Sequence, residues 1–111
     1  MPIHVLDQKA TEDQIAEMLK ALDHYIKVAV DVERKCLAGG GIMHADCEAI
    51  LLKEGSKQEN IWGADWYPKE RRVEFNSLIN IRPRQGNRKL EIQNQDLRSQ
   101  VERIVRKILE K

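Results

Sequence analysis

The sequence predicts an α+β domain in two layers: a four-stranded antiparallel meander, with one helix near each end of the chain and both helices on one face of the sheet. Three observations carry this. Apolar residues recur at helical spacing near both termini, as Ile15, Met18, Leu19 and Leu22 and again as Leu97, Val101, Ile104, Val105 and Ile108. Between residues 25 and 34 the period drops to two, with Ile26, Val28, Val30 and Val32 pointing one way and Lys27, Ala29, Asp31 and Glu33 the other. Finally, Gly55-Ser56 sits between two apolar-rich runs, which is how a tight hairpin turn is written. Four antiparallel strands with two amphipathic helices close one core and leave the opposite sheet face to water or a partner.

Taken in order, Ile3 to Leu6 supplies a short fifth strand at the N-terminus. Thr11 followed three residues later by Gln14 is a capping box, so the first helix runs from residue 11 to about 22. The strand at 25–34 leads through residues 35–43 into the hairpin. Gly39-Gly40-Gly41 makes that connection permissive. A phosphate-binding loop is not indicated, because the segment is predicted to enter a strand and lacks the Lys-Ser or Lys-Thr such loops carry. In the hairpin, a Gly-Ser turn pairs Cys47 with Ala64, Ala49 with Trp62 and Asp46 with Asp65. Small residues then meet indoles on one face while acids gather on the other. Residues 73–82 form the last strand, with Val73, Phe75, Ser77, Ile79 and Ile81 inward. Its predicted register sets Asp65 against Asn76, since the alternative opposes Asp65 and Glu74. Pro83 ends the strand, residues 84–89 make a basic turn, and Asn94 caps the final helix, whose C-terminal end Lys107 and Lys111 suit.

At 111 residues the chain is expected to be a single domain spanning 1–111, with one core. Hydrophobic residues make up 41% and charged residues 33%, and no apolar run approaches a membrane span, so membrane association is not expected. Asp7 and Lys9 interrupt any leader-like start, which places the protein in the cytoplasm. Two cysteines make no disulfide framework; Cys47 is predicted to be a small buried hydrophobe and Cys36 to be exposed. The net charge of +1 hides a split: residues 31–65 hold seven acids against four bases, and residues 69–89 seven bases against two acids.

The open sheet face carries the sharpest expectation. In a meander, Asp31, Glu33, Asp46, Glu48 and Asp65 gather with His44 in one patch. Carboxylates so close bind cations, share protons or repel. One reading is a site for Mg²⁺ or Mn²⁺ held by carboxylate oxygens with His44 at its margin, as in a metal-dependent hydrolase of phosphate esters or nucleic acid. The other is a binding or interaction face, solvated or packed on a second copy in a homodimer. Tyr67, beside Asp65, and Asn80 are candidate ligand contacts. Arg82, Arg84 and Arg88, with Lys89, are candidate phosphate contacts of a nucleic-acid binder; without interleaved exposed aromatics, a solvated turn whose arginines pair with acids of the last helix is the preferred reading. His44 and Cys47 point to opposite faces of a strand and so do not share zinc. His44-x-Asp46 lacks the Pro-Cys-x-x-Cys of a deaminase, and Glu33-x-Lys35 lacks the preceding-strand acid of a metal-dependent nuclease. Trp62, Trp66 and Phe75 are assigned to the core.

Several strings occur together: Leu37-Ala38-Gly39-Gly40-Gly41, His44-Ala45-Asp46-Cys47-Glu48, Ile61-Trp62-Gly63-Ala64-Asp65-Trp66-Tyr67-Pro68 and Ile79-Asn80-Ile81-Arg82-Pro83-Arg84. Over nearly the whole chain these resemble a family of small prokaryotic proteins built on a domain of unknown function. The resemblance implies a bacterial or archaeal cytosolic protein and brings no activity, ligand or catalytic residue with it.

Overall fold

Thr11 Oγ1 accepts the N–H of Gln14 at 3.1 Å while Gln14 Oε1 accepts that of Thr11 at 2.9 Å, the reciprocal cap expected of the first helix. In the computed structural model, which describes residues 3–111, this helix is α1, Glu12–Leu19, and it follows the short strand β1, His4–Leu6. Next come β2, Ile26–Asp31; β3, Cys36–Gly39; α2, His44–Lys53; β4, Ile61–Tyr67; and β5, Arg72–Glu74. The last helix, α3, spans Gln95–Leu109, and Asn94 caps it by accepting the Leu97 N–H at 2.9 Å. Among the described residues no helix is long and apolar enough to cross a membrane.

All pairings in the sheet are antiparallel, but the order is β1-β3-β2-β4-β5 rather than a four-stranded meander. Two expectations fail here. Residues 36–39, assigned to a connecting loop, form the strand between β1 and β2, with Ala29 paired to Ala38. The predicted hairpin strand at 44–52 is instead helix α2, so β4 pairs with β2, Val28 facing Ala64 and Val30 facing Trp62. Helical burial in α2 follows His44, Cys47, Glu48 and Leu51, a three-four spacing hidden in the sequence because two of the four buried residues are polar. Gly55 does have a positive φ of 102°, but it closes a helix. The N–H groups of Gly55 and Ser56 donate to Leu52 O and Leu51 O, the pattern of a left-handed C-terminal cap.

The strand expected over 73–82 stops at Glu74. Beyond it, Ser77 Oγ accepts the Ile79 N–H at 3.3 Å and starts a turn of 3-10 helix at Leu78–Asn80. The register with β4 sets Asp65 opposite Glu74, not Asn76. Each acid has its own base, Asp65 with His44 at 2.8 Å and Glu74 with Arg72 at 3.1 Å, and Trp66 faces Val73 in the same register.

Alternation along the strands builds two cores. Ile26, Val28, Val30, Leu37, Trp62, Ala64 and Trp66 cluster with Met18 of α1 and with Val101, Val105 and Ile108 of α3. On the other side, Ala29, Cys36, Ala38 and Ile61 meet Cys47 and Leu51 of α2. The expected two layers are therefore incomplete, because α2 covers part of the face predicted to be open. Small side chains at Ala29 and Ala38 let it approach closely. Cys36, expected to be exposed, is buried in this second core.

Candidate functional site

The part of that face left uncovered by α2 is where polar chemistry collects. Helix α2 starts directly over the sheet because the chain turns sharply after β3. Gly40 takes a φ of 105°, and a Cβ on Gly41 would sit 3.1 Å from Cys47 Sγ and 3.2 Å from Ile3 Cδ1. The glycine run thus joins a strand to a helix, contrary to the expectation of a second strand, and its glycines are accounted for by this packing. Asp46 Oδ2 accepts the Met43 N–H at 3.3 Å, which fixes the first turn and puts an acid at the positive end of the helix. Cys47 Sγ lies 3.7 Å from Lys27 O and tethers the helix to β2.

His44, the first residue of α2, then reaches β4. Its Nε2 lies 2.8 Å from Asp65 Oδ1 and 3.0 Å from Ala64 O. Both neighbours are acceptors, so Nε2 carries the proton and donates to them. The pair is nearly closed off from solvent, with His44 9% and Asp65 7% exposed. His44 Nδ1 has no hydrogen bond within the described chain. Among the described residues the buried side-chain nitrogens and oxygens left without a partner are Asp31 Oδ2 and Trp66 Nε1, and His44 Nδ1 is not one of them.

Beside this pair lies a cleft of about 380 Å³. Lys27, His44, Asp65, Asn76 and Ser77 give it polar groups, and Lys27 stands opposite Asp65 in the β2–β4 register. Met43, Leu78, Ile79 and Leu90 give it apolar walls. Leu78 is 73% exposed on this rim, with Met43 and Leu90 also exposed beside the cleft. One step further along the same strands Tyr67 stacks on Tyr25, ring centroids 4.9 Å apart, and the Arg72 guanidinium covers Tyr67 at 4.3 Å. Partial burial, with Glu74 and Asp65 nearby, raises the Tyr67 pKa.

The structure brings together two of the six residues expected in an acidic centre, His44 and Asp65. Asp31, at the far end of β2, accepts the N–H groups of Glu33 and Arg34 at 2.9 and 3.0 Å and shapes the β2–β3 turn. Glu33 is exposed in that turn. Asp46 caps α2. Glu48 is buried against Arg82 at 3.4 Å. Among the described residues no group of three His, Cys, Asp or Glu side chains is placed to hold a metal ion, so the expected Mg²⁺ or Mn²⁺ cluster is not formed.

Two other expected contacts are structural. Asn80 is fully buried: its Oδ1 accepts the Gly63 N–H at 2.8 Å, and its Nδ2 donates to Gly63 O, Phe75 O and Leu90 O at 3.0–3.1 Å. Its amide takes the place of a missing neighbouring strand beside β4. Arg82 turns inward, donating to Ile79 O, Gln58 O, Ile61 O and Glu48 and lying over Trp62 at 4.6 Å. Of the expected phosphate contacts Arg84, Arg88 and Lys89 remain exposed. Sequence reasoning missed Leu78 and Leu90, which follow the break in the predicted last strand. Lys27 was legible, since alternation in β2 already set it on the same side as Asp31.

A family model described as "Protein of unknown function (DUF5674)" matches residues 4–108 of the 111. The chain belongs to the DUF5674 family. The match runs from the start of β1 into the last turn of α3, so the His44–Asp65 cleft lies wholly inside the DUF5674 domain. No curated protein and no solved structure matches the chain.

Proposed function

We propose that this DUF5674 protein is a ligand-binding domain whose site is the His44–Asp65 cleft. The observation that supports this most is a nearly buried histidine held in one tautomer by an aspartate, at the edge of a cleft walled by exposed apolar side chains. In the neutral ring, Nδ1 offers the cleft a hydrogen-bond acceptor, and Met43, Leu78 and Leu90 offer it an apolar wall. The ligand that suits both is small, with an apolar body and a hydroxyl or amide N–H head. Asp65 sets the direction of the ring, and Lys27 adds a positive charge beside it. Binding sites of this size commonly join apolar walls to a few polar groups of fixed direction.

The test is a ¹H–¹⁵N NMR titration of the protein with a panel of aliphatic and aromatic alcohols and primary amides. The reading expects shifts confined to Lys27, Met43, His44, Asp65 and Asn76, and about tenfold weaker binding in Asp65→Asn, the effect of losing one well-placed polar interaction. It is abandoned if no compound moves these resonances, or if Asp65→Asn binds as well as the parent.

A second reading rests on the same pair. A histidine oriented by a carboxylate through one nitrogen, with the other nitrogen making no hydrogen bond within the described chain, is arranged as a general base. In this enzyme reading a bound water or hydroxyl takes the place of the ligand head. Ester hydrolysis that disappears in His44→Gln while the fold persists would favour it over simple binding.

A further inference from the structure

At the opposite end of α2 from the cleft, the β2–β3 turn and the C-terminus of the helix enclose a second hollow of about 350 Å³. We propose that it takes a primary alkylammonium group, bound against the carboxylate of Asp31. Asp31 lines the hollow, is fully buried, and uses only one of its oxygens. Oδ1 accepts two backbone N–H groups, while Oδ2 has no partner in the described chain. Buried polar atoms in folded proteins are nearly always paired, and a charged oxygen left alone is the costliest exception. The other buried atom without a partner, Trp66 Nε1, is a neutral donor and faces no comparable penalty.

The surroundings of Asp31 favour positive charge. Glu33 and Glu59 line the same hollow, and Ser56 and Asn60 add neutral side-chain oxygens. Helix α2 ends there at Lys53 with its Gly55 and Ser56 cap, so the negative end of the helix dipole is directed toward it. The hollow's own bases do not answer Asp31 with their side chains. The Arg34 guanidinium donates to Ser56 Oγ at 2.7 Å, and neither Arg34 nor Lys57 forms an ion pair among the described residues. A divalent metal is poorly served, since no three acidic, histidine or cysteine side chains converge here. A primary ammonium needs less: its three N–H donors and single charge match one carboxylate oxygen and a few neutral oxygens. The same chemistry occurs in a free diamine and in a lysine side chain.

The experiment is an NMR titration of the full chain with putrescine and, separately, with Nα-acetyl-lysine amide, against sodium chloride at matched ionic strength. Both probes are expected to shift Glu33, Arg34, Ser56 and Asn60, and sodium chloride is not. Asp31→Asn keeps the oxygen that accepts the turn's N–H groups and is expected to weaken binding about tenfold or more, as loss of a charge-assisted contact does. Glu59→Gln, on the exposed side of the hollow, is expected to weaken it about twofold to threefold and serves if the Asp31 variant does not fold. A response to putrescine alone would identify a free amine, and a response to the lysine derivative alone a protein side chain. The proposal is overturned if neither amine shifts these residues, if sodium chloride reproduces the shifts, if Mg²⁺ binds there and the amines do not, or if affinity is unchanged in whichever of the two variants folds. The alcohols and amides that report on the His44–Asp65 cleft do not interrogate this hollow, so the two readings fail separately.

Discussion

Arg82 shows how a residue that looks like surface chemistry becomes architecture. Its guanidinium bonds to three carbonyls from two stretches of chain, at Gln58 and Ile61 and at Ile79, pairs with Glu48 and covers Trp62. Burial pulls its pKa down while Glu48 opposes that shift. Lysine has the charge but not the planar fork, so Arg82→Lys is expected to lower unfolding free energy by about 2–3 kcal/mol, measured by urea denaturation. A loss below half a kcal/mol would mean that these contacts are not made in solution. Cys47 gives a pH-dependent counterpart. Burial raises its thiol from the ordinary 9.0 to about 11, so the native state prefers the neutral form. That preference is complete below pH 9 and is lost as pH rises from 9 toward 11, amounting to roughly 2 kcal/mol. The melting temperature should therefore fall more steeply over that range in the parent than in Cys47→Ala; parallel curves would contradict the assignment. The burial of Cys47 was expected from the sequence, but the role of Arg82 was not. Arg82 and Asn80 fell on the outer face of a strand predicted to continue to residue 82, and only the break after Glu74 turns them inward.

At the scale of elements, α2 decides both the fold and the site. Residues 44–52 alternate well enough to imitate a strand, through Ala45, Cys47, Ala49 and Leu51, and Gly55-Ser56 imitates a hairpin turn. The helical stripe was also present, but it runs through His44 and Glu48, which binary patterning counts as polar. Strand β3 was concealed for a related reason: Ala38 and Gly39 have the small side chains of a loop, and here that smallness accommodates helix and strand neighbours. A Cβ on Gly39 would lie 3.0 Å from Val28 Cγ1. By contrast, α1, β2 and α3 were readable, the two helices down to their N-terminal caps, because their polar and apolar residues separate cleanly, although α1 ends at Leu19 rather than near residue 22 and β2 at Asp31 rather than residue 34. Ala49, exposed in the middle of α2, distinguishes the two assignments. In a helix, Ala49→Val should cost about half a kcal/mol and Ala49→Gly about 1 kcal/mol. In a strand, valine should be stabilising instead. Chemical denaturation of the two variants reads the sign.

For the whole molecule, the order β1-β3-β2-β4-β5 puts β2 at the centre, hydrogen-bonded on both sides and covered on both faces. Amide exchange should be slowest along Ile26–Asp31 and its partners in β3 and β4, and faster in the three-residue edge strands. Exchange of β2 as fast as β5 would contradict this order. An α+β chain with tryptophans in the core was legible from periodicity alone. How much of the open face stays uncovered was not, because that depends on where α2 docks, and α2 was read as part of the sheet. The same docking disperses the expected acidic centre and leaves His44 and Asp65 as its surviving pair. The decisive measurement is therefore a long-range ¹H–¹⁵N spectrum of the His44 ring. A single tautomer protonated at Nε2 is the expected result, because both atoms that face this nitrogen, Asp65 Oδ1 and Ala64 O, are acceptors. A ring protonated at Nδ1, or one that averages tautomers, would contradict it.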